Sequence, residues 1–516
     1  MRPHPPRLSF PQPLDKAALS VMAVAGLLTL LLLWGGDRTY AQVRYFTWQN
    51  RDIGAEDRAF ILSFNRLMDW SSVEAHLKIE PPLAGKASWS GRRFAYTLTE
   101  PIPYGQTFQL SLDNAVSVPQ GKPMQAFQGQ FRSRDRVLVY LGSGVEEGRL
   151  ILYNLTLQQK TFLSPLNLRV FDFQPYPAGD RILFSAGERG EQMGFDPQLY
   201  TVTTGLHFNA PDSTPRQPRP IGELSLILDN SEYQNLRFQL ANDGSKIVVQ
   251  RVNRLQPMDS SLWLLDENFQ PRRLNQAAAG DFRIAPDNQH LIIAQGQGLA
   301  IVPLVPGQEE TAFDFLPQYG MVLDFSRDGR KVAVVKFNPN FSRSLYVVNI
   351  FGTHEELLTV NGSIIAAQFD PKGDYLYVIL TRIEGEGTYR EVPYLGLFDL
   401  KTKQLYKLKD FDPQQDLYLS LAPDGRTLAV DYAEGRSTPA VIDNSDLYGE
   451  TAPEVADTDP LAALPSPDLG ETPSPPEQVP PQQHQIWLFP LELNQDKMTV
   501  GMPEPLAPGL QARWLP

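Results

Sequence analysis

The chain has 516 residues, too many for one ordinary core, and only 20% are charged, with 37 Gly and 45 Pro; that balance suits short strands joined by turns. A formal net charge of −13, with no dense Lys/Arg run against it, argues against nucleic acid or anionic lipid as a partner. Cysteine is absent, which excludes a disulfide framework, a thiolate metal site and a cysteine nucleophile.

The first element is an uncharged, mostly apolar run over 17–34. At about 1.5 Å per helical residue it covers roughly 27 Å, close to the hydrocarbon thickness of a bilayer. We therefore expect a cytoplasmic tail over 1–16, a transmembrane helix over 17–36, and the bulk of the chain on the extracytoplasmic side. A cleavable signal peptide is the competing reading, although its apolar core is usually shorter and Thr39-Tyr40-Ala41 is a mediocre cleavage site. Charge bias does not set the orientation, because Arg2, Arg7 and Lys16 before the run are matched by Arg38, Arg44 and Arg51 after it.

Over 43–133 strand-like runs recur between turn residues: Phe60-Ile61-Leu62-Ser63-Phe64, His76-Leu77-Lys78-Ile79, Arg93-Phe94-Ala95-Tyr96, Phe108-Gln109-Leu110-Ser111-Leu112, and 127–131. Their alternation predicts half-buried strands in a sandwich. The stretch also holds Phe64-Asn65-Arg66-Leu67-Met68-Asp69, Ile79-Glu80-Pro81, Trp89, Pro101-Ile102-Pro103-Tyr104-Gly105-Gln106-Thr107-Phe108 and a closing Phe131. In that order these motifs resemble the bacterial immunoglobulin-like domains of the S-layer and adhesion type. The resemblance implies an immunoglobulin-like β-sandwich serving as a spacer, with Phe64 and Trp89 in its core.

Beyond Arg136 a unit of about 40 to 50 residues repeats, the period of propeller blades: an apolar strand, a tight turn, then a β-branched strand. The turns are Pro177-Ala178-Gly179-Asp180, Asn242-Asp243-Gly244-Ser245, Pro286-Asp287-Asn288, Arg327-Asp328-Gly329-Arg330, Pro371-Lys372-Gly373-Asp374 and Pro423-Asp424-Gly425-Arg426. Gly or Asn makes a positive φ cheap there, and Asp bonds the backbone, so hairpin geometry alone accounts for the motif. At the C-terminus, Gln511 to Pro516 reads as a first strand with nothing after it. At the other end, Arg136-Val137-Leu138-Val139-Tyr140 and Arg149-Leu150-Ile151-Leu152-Tyr153 have no turn before them. Six complete units and one split unit predict a seven-bladed β-propeller over 136–516, closed by the C-terminal strand, which leaves no open edge at the ring closure. The pattern is similar to the TolB-like and WD40-like repeats of bacterial envelope proteins. The fold class expected is all-β.

In such propellers the first-to-second turns share one face. The connections over 142–148, 187–197, 204–233, 252–260, 338–343, 382–392 and 433–483 are expected on the opposite face, which then looks like a binding face. Arg251, Arg254, Phe337, Phe341, Arg343, Arg382, Tyr389 and Arg390 are its candidate contacts, since Arg and aromatics most often anchor interfaces. The insert over 433–483 is Pro-rich and acidic and is expected to be disordered, as a flexible tether or as a docking strand for a basic partner.

Catalytic motifs are missing. There is no Gly-x-Ser-x-Gly elbow, and His354-Glu355-Glu356 lacks the second His of a zinc motif because position 358 is Leu. The remaining histidines are scattered, and no phosphate or calcium loop is read. No catalytic residue, metal or cofactor is expected. The function expected is that of a non-enzymatic, membrane-anchored envelope scaffold or binding protein that recognises a protein or glycan through the insert-bearing face. A propeller hydrolase or lyase acting on an envelope polymer, with carboxylates converging in the central channel, is the alternative.

Overall fold

The structure is a computed structural model that describes residues 13–35, 40–119, 121–190, 196–206, 208, 219–277, 280–295, 298–304, 315–316, 318–349, 351–385, 390–414, 416–433, 484–494 and 497–516. Tyr389 and the insert beyond Ala433 lie outside them, so the disorder expected over 433–483 does too. Contacts divide the chain into two units. One comprises Met1–Ile53, Asp57–Glu100 and Gln106–Arg132; the other comprises Gly54–Glu56, Pro101–Gly105 and Ser133–Pro516.

The first unit begins with α1 (Pro13–Gly35). Among the described residues no helix is long and apolar enough to cross a membrane, so the spanning helix expected over 17–36 gains no support from α1. Eight strands follow: β1 (Val43–Phe46), β2 (Asp52–Ile53), β3 (Ala59–Phe64), β4 (Leu77–Glu80), β5 (Gly85–Ser90), β6 (Arg93–Leu98), β7 (Thr107–Leu112) and β8 (Phe127–Ser133). They form two four-stranded sheets, ordered β1-β3-β6-β5 and β2-β8-β7-β4. Alternation in β3 buries Phe60, Leu62 and Phe64, and alternation in β7 buries Phe108, Leu110 and Leu112. Aromatic rings join the sheets: Phe46 and Trp48 meet Phe131 at 6.0 and 5.1 Å between centroids. This is a β-sandwich. Phe64 is buried, whereas Trp89 is half-buried, stacked on Trp70 at 5.8 Å with Nε1 donating to Glu74 Oε1 at 2.9 Å. The strand expected from His76 starts one residue later. Asp69 Oδ1 accepts from Ser72 N at 3.0 Å and caps a short helix, α2 (Trp70–His76), that claims His76.

In the second unit the chain enters through β9 (Val137–Gly142), β10 (Leu150–Asn154) and β11 (Gln159–Phe162). Five antiparallel sheets of four consecutive strands follow. Their strands are β12 (Leu168–Pro175), β13 (Arg181–Glu188), β14 (Gln198–Thr203) and β15 (Leu224–Leu228); then β16 (Tyr233–Leu240), β17 (Ile247–Asn253), β18 (Ser260–Leu265) and β19 (Pro271–Ala277). Next come β20 (Phe282–Ile284), β21 (His290–Gln295), β22 (Gly298–Pro303) and β23 (Phe315–Leu316), and β24 (Met321–Phe325), β25 (Lys331–Phe337), β26 (Arg343–Asn349) and β27 (His354–Val360). The fifth holds β28 (Ile364–Phe369), β29 (Tyr375–Glu384), β30 (Arg390–Asp399) and β31 (Gln404–Asp410). The chain ends with β32 (Tyr418–Leu421), β33 (Thr427–Tyr432), β34 (Gln485–Asn494), β35 (Lys497–Val500) and β36 (Glu504–Trp514).

These last strands share one sheet with the first three, in the order β11-β10-β9-β36-β34-β33-β32, and β35 pairs with β34. The long strand β36 serves twice. Its first half pairs with β34 (Leu488↔Glu504 to Gln485↔Pro508), and its second half pairs with β9 (Gly509↔Gly142 to Trp514↔Leu138). Divided at β36, the shared sheet yields two four-stranded units beside the five consecutive ones, seven in all among the described residues. The unit is a β-propeller.

All six tight turns fall between first and second strands, with positive φ at Gly179, Gly244, Asn288, Gly329, Gly373 and Gly425. Asp side chains close five of them: Asp243, Asp287, Asp328, Asp370 and Asp424 each accept from a backbone N–H two residues on, at 2.8–3.1 Å. A Cβ at Gly373 would have no atom nearer than Ser326 Cβ at 3.8 Å, whereas one at Gly179 would collide with the Phe208 ring. Gly373→Ala is therefore expected to cost about 1–2 kcal/mol for its left-handed backbone alone. Gly179→Ala should cost about 1–3 kcal/mol more for overpacking, and urea titration of both variants checks the order.

One expected loop placement is corrected. The segment 204–233 contains a strand, β15, so its long connection joins third to fourth strand and belongs at the tight-turn end. Hydrogen bonds hold it there: Thr204 N donates to Asp180 O at 2.9 Å and Phe208 N to Ala178 O at 2.7 Å.

Candidate functional site

The first strands of the propeller sheets line a cavity of about 610 Å³, which takes in Asp281, Arg283, Asp324, Gln368, Asp416, Tyr418, Gln511 and Arg513. Most of its wall is occupied in joining one sheet to the next. Arg513 Nη2 reaches Asp172 at 3.2 Å, and Gln174 Oε1 accepts from Leu240 N at 2.6 Å. Arg237 pairs with Asp281 at 2.8 Å, and Arg283 attracts the Asp324 carboxylate. Asp324 Oδ2 accepts from Phe369 N at 2.9 Å, and Gln368 Oε1 accepts from Leu421 N at 2.9 Å. Ser420 then takes Trp514, its carbonyl accepting from the indole Nε1 at 3.0 Å and its hydroxyl from the backbone N at 3.4 Å. From β36 round to β20, and from β24 round to β36, each junction between successive first strands is bridged, and between β20 and β24 Arg283 acts on Asp324 by its charge. Position explains the recurrence: Gln174, Asp324, Gln368 and Ser420 each stand five residues before a turn glycine.

Two carboxyl groups here depart far from their ordinary range. Burial pushes Asp324 up to about 6, against the hydrogen bonds from the backbone N–H groups of Phe369 and Phe325 and the pull of Arg283. Burial pushes Asp431 up to about 7, although it accepts from Gln511 N at 2.8 Å and Tyr418 N at 3.1 Å. Gln511 sits in a register break of β36 with φ +53, and its Oε1 is buried without a partner. Among the described residues no group of three His, Asp or Glu is placed to hold a metal. His354 lies in strand β27, with Nδ1 2.7 Å from the Tyr319 hydroxyl, so the helical zinc geometry fails as well as the sequence motif.

On the opposite, insert-bearing face the second-to-third connections meet the last-to-next ones, and most of the arginines chosen from sequence are already engaged. Arg251 is buried, with Nε donating to Asn235 Oδ1 at 3.0 Å and its guanidinium 4.7 Å above Tyr233 and 5.2 Å above Trp263. Arg254 pairs with Asp196 and donates to Asn230 O. Arg343 Nη1 donates to Gly362 O at 2.8 Å and Ser363 Oγ at 2.6 Å, tying β26 to the approach to β28. Arg382 bridges Glu384 and Asp410. Arg390 stands opposite Glu384, with Nε buried and without a hydrogen-bond partner among the described residues. Phe337 and Phe341 are exposed, and Phe337 pairs in register with Arg343. The structure thus brings Phe337, Phe341 and Arg343 to one sheet and Arg382 and Arg390 to the next, with Arg251 and Arg254 on a third.

Of the apolar loop tips, sequence reasoning named Phe341 and missed the others. Val145, Leu255, Met258 and Phe341 are 101, 93, 98 and 91% exposed on three separate second-to-third connections, and Leu166 is exposed between β11 and β12. The legible signal was an apolar residue inside a turn-rich loop, as in Arg254-Leu255-Gln256-Pro257-Met258.

No protein-family model and no curated protein matches the chain. Solved structures do. TolB from Acinetobacter baumannii is 10% identical, with 92% of this chain and 99% of that one covered and a TM-score of 0.37. A periplasmic gluconolactonase from Pseudomonas aeruginosa is 14% identical, covering 74% and 99%, with a TM-score of 0.41. An oligogalacturonate lyase from Vibrio parahaemolyticus is 12% identical, covering 64% and 95%, also with a TM-score of 0.41. At such identities the propeller assignment rests on the strand pairings themselves.

Proposed function

We propose that this chain is a non-enzymatic binding protein of the cell envelope, in which α1 tethers the chain, an immunoglobulin-like sandwich spaces it, and a seven-bladed propeller presents its insert-bearing face to a protein or glycan. The observation that carries this reading is the contrast between the two candidate sites. Polar groups of the axial wall are used as fasteners, whereas apolar side chains on the loop tips stand almost fully in water, where nothing in the fold needs them. The uncharged run over 17–34 supports the tether.

Crosslinking in intact membranes should recover a partner that is lost when Leu255, Met258 and Phe341 are all replaced by Ser. Unchanged recovery would sink the reading. An N-terminus near Gln42 in the mature protein would turn the tether into a cleaved signal. A hydrolase or lyase keeps one favourable observation, the raised Asp324 carboxyl beside Arg283 in the axial cavity. Breakdown of an isolated envelope polymer that Asp324→Asn abolishes would put the enzyme in place of the binding protein.

A further inference from the structure

Each propeller sheet ends in an outer strand, and an unpaired edge is a template for another chain unless charge or proline blunts it. Blunting groups are present wherever the outer side chains are described, with one exception. Lys160 lies in β11, Arg272 and Arg273 in β19, Glu355 and Glu356 in β27, and Lys407 and Lys409 in β31. The part of β36 that pairs with β34 holds Glu504, Pro505 and Pro508.

The exception is β15, Leu224-Ser225-Leu226-Ile227-Leu228, without charge or proline. Among the described residues it pairs only with β14, and Leu224 and Leu226 are 41 and 53% exposed, with Ile221 exposed just ahead of them. Acids bound it on both sides, Glu223 before and Asp229 after. Hydrogen bonds from the Ser231 N–H and hydroxyl, at 3.0 and 2.7 Å, hold the Asp229 carboxyl below its usual range and so keep it ionised.

Those acids select the occupant. A second copy of β15, antiparallel and centred on Leu226, would set Glu223 against Asp229 at both ends, and like charges opposed across a strand pair are destabilising. The complement is an apolar strand with basic ends. We propose that β15 is a strand-addition site for an extended apolar segment of a partner protein flanked by Lys or Arg. Main-chain hydrogen bonds along the edge that no described strand occupies supply affinity, alternate side chains lie beside Leu224 and Leu226, and the basic ends meet Glu223 and Asp229. The site is independent of the loop tips.

The test uses the full-length chain in detergent and two labelled peptides, Lys-Lys-Val-Thr-Val-Ile-Val-Lys-Lys and the same core with Glu at all four flanking positions. Fluorescence anisotropy should show saturable binding of the basic peptide and at least tenfold weaker binding of the acidic one. Leu226→Asp should weaken the basic peptide at least tenfold, although the added negative charge alone would strengthen it. Glu223→Gln, a milder change, should narrow the gap between the peptides, and amide exchange over 224–228 should slow on peptide addition. Equal binding of both peptides, or unchanged binding by Leu226→Asp, overturns the proposal. So does a dimer in sedimentation that Leu226→Asp abolishes, which would make the occupant a second copy.

Discussion

Trp514→Ala is expected to destabilise the propeller by about 3–5 kcal/mol, the usual range for removing a large buried aromatic. The side chain sits in one core with Leu138, Tyr140, Ile151, Ala422 and Ala429, so it belongs to both halves of the shared sheet together. Its Nε1 donates to Ser420 O at 3.0 Å, its residue pairs with Leu138, and the Arg136 guanidinium lies 4.9 Å from its ring. Loss of the indole removes the packing and also leaves the Ser420 carbonyl without that donor. Shortening the chain to end at Gly509 should do more: β9 would lose its inner partner and the shared sheet would split, giving two unpaired edges and concentration-dependent aggregation. Met502→Ala is the control, because that side chain is 89% exposed and its removal should change stability by less than about 0.5 kcal/mol. Since two units unfold, the quantity to follow is the propeller transition in urea, read separately from the sandwich. An unchanged propeller midpoint in Trp514→Ala would mean the ring does not depend on its last strand.

The last strand's place beside β9 was legible because Gln511 to Pro516 copies the local pattern of the other first strands. The turns were legible for the same reason, since a positive φ and an Asp-to-backbone bond are set within five residues. What escaped depends on partners distant in sequence. Pro505 and Pro508 hide the first half of β36, which is a strand only because β34 lies beside it. The strand β15 follows a long connection, so it was read as loop and its connection was assigned to the wrong face. Arg254 and Arg382 have the composition of interface anchors, yet each is paired with a carboxylate that residue type alone does not announce. The covering of Asp324 and Asp431 comes from residues distant in sequence, such as Phe369 and Gln511, and is likewise not written in their own strands.

That covering has a consequence in pH. Most native carboxyls engaged by hydrogen bonds lose stability on acidification, as Asp287 and Asp328 should, both being held below the usual range. Asp324 and Asp431 have the reverse sign. Their folded values of about 6 and about 7 lie above the 3.8 of a free carboxyl, so the folded state binds the proton more tightly than the unfolded one. The associated stability is fully present below about pH 4 and is lost as pH rises through 6 and 7, on the order of 1 kcal/mol per pH unit for each group in that window. The propeller transition is therefore expected to fall in temperature between pH 5 and pH 8 and to level off above. Asp324→Asn isolates one contribution, because the amide oxygen can still accept from Phe369 N while the group no longer titrates. That variant should show a shallower fall and exceed the wild type at pH 8. Identical slopes from pH 5 to 8 would place the Asp324 proton outside the folding equilibrium, and the raised carboxyl would then need another account, of which proton transfer in the axial cavity is the first to test.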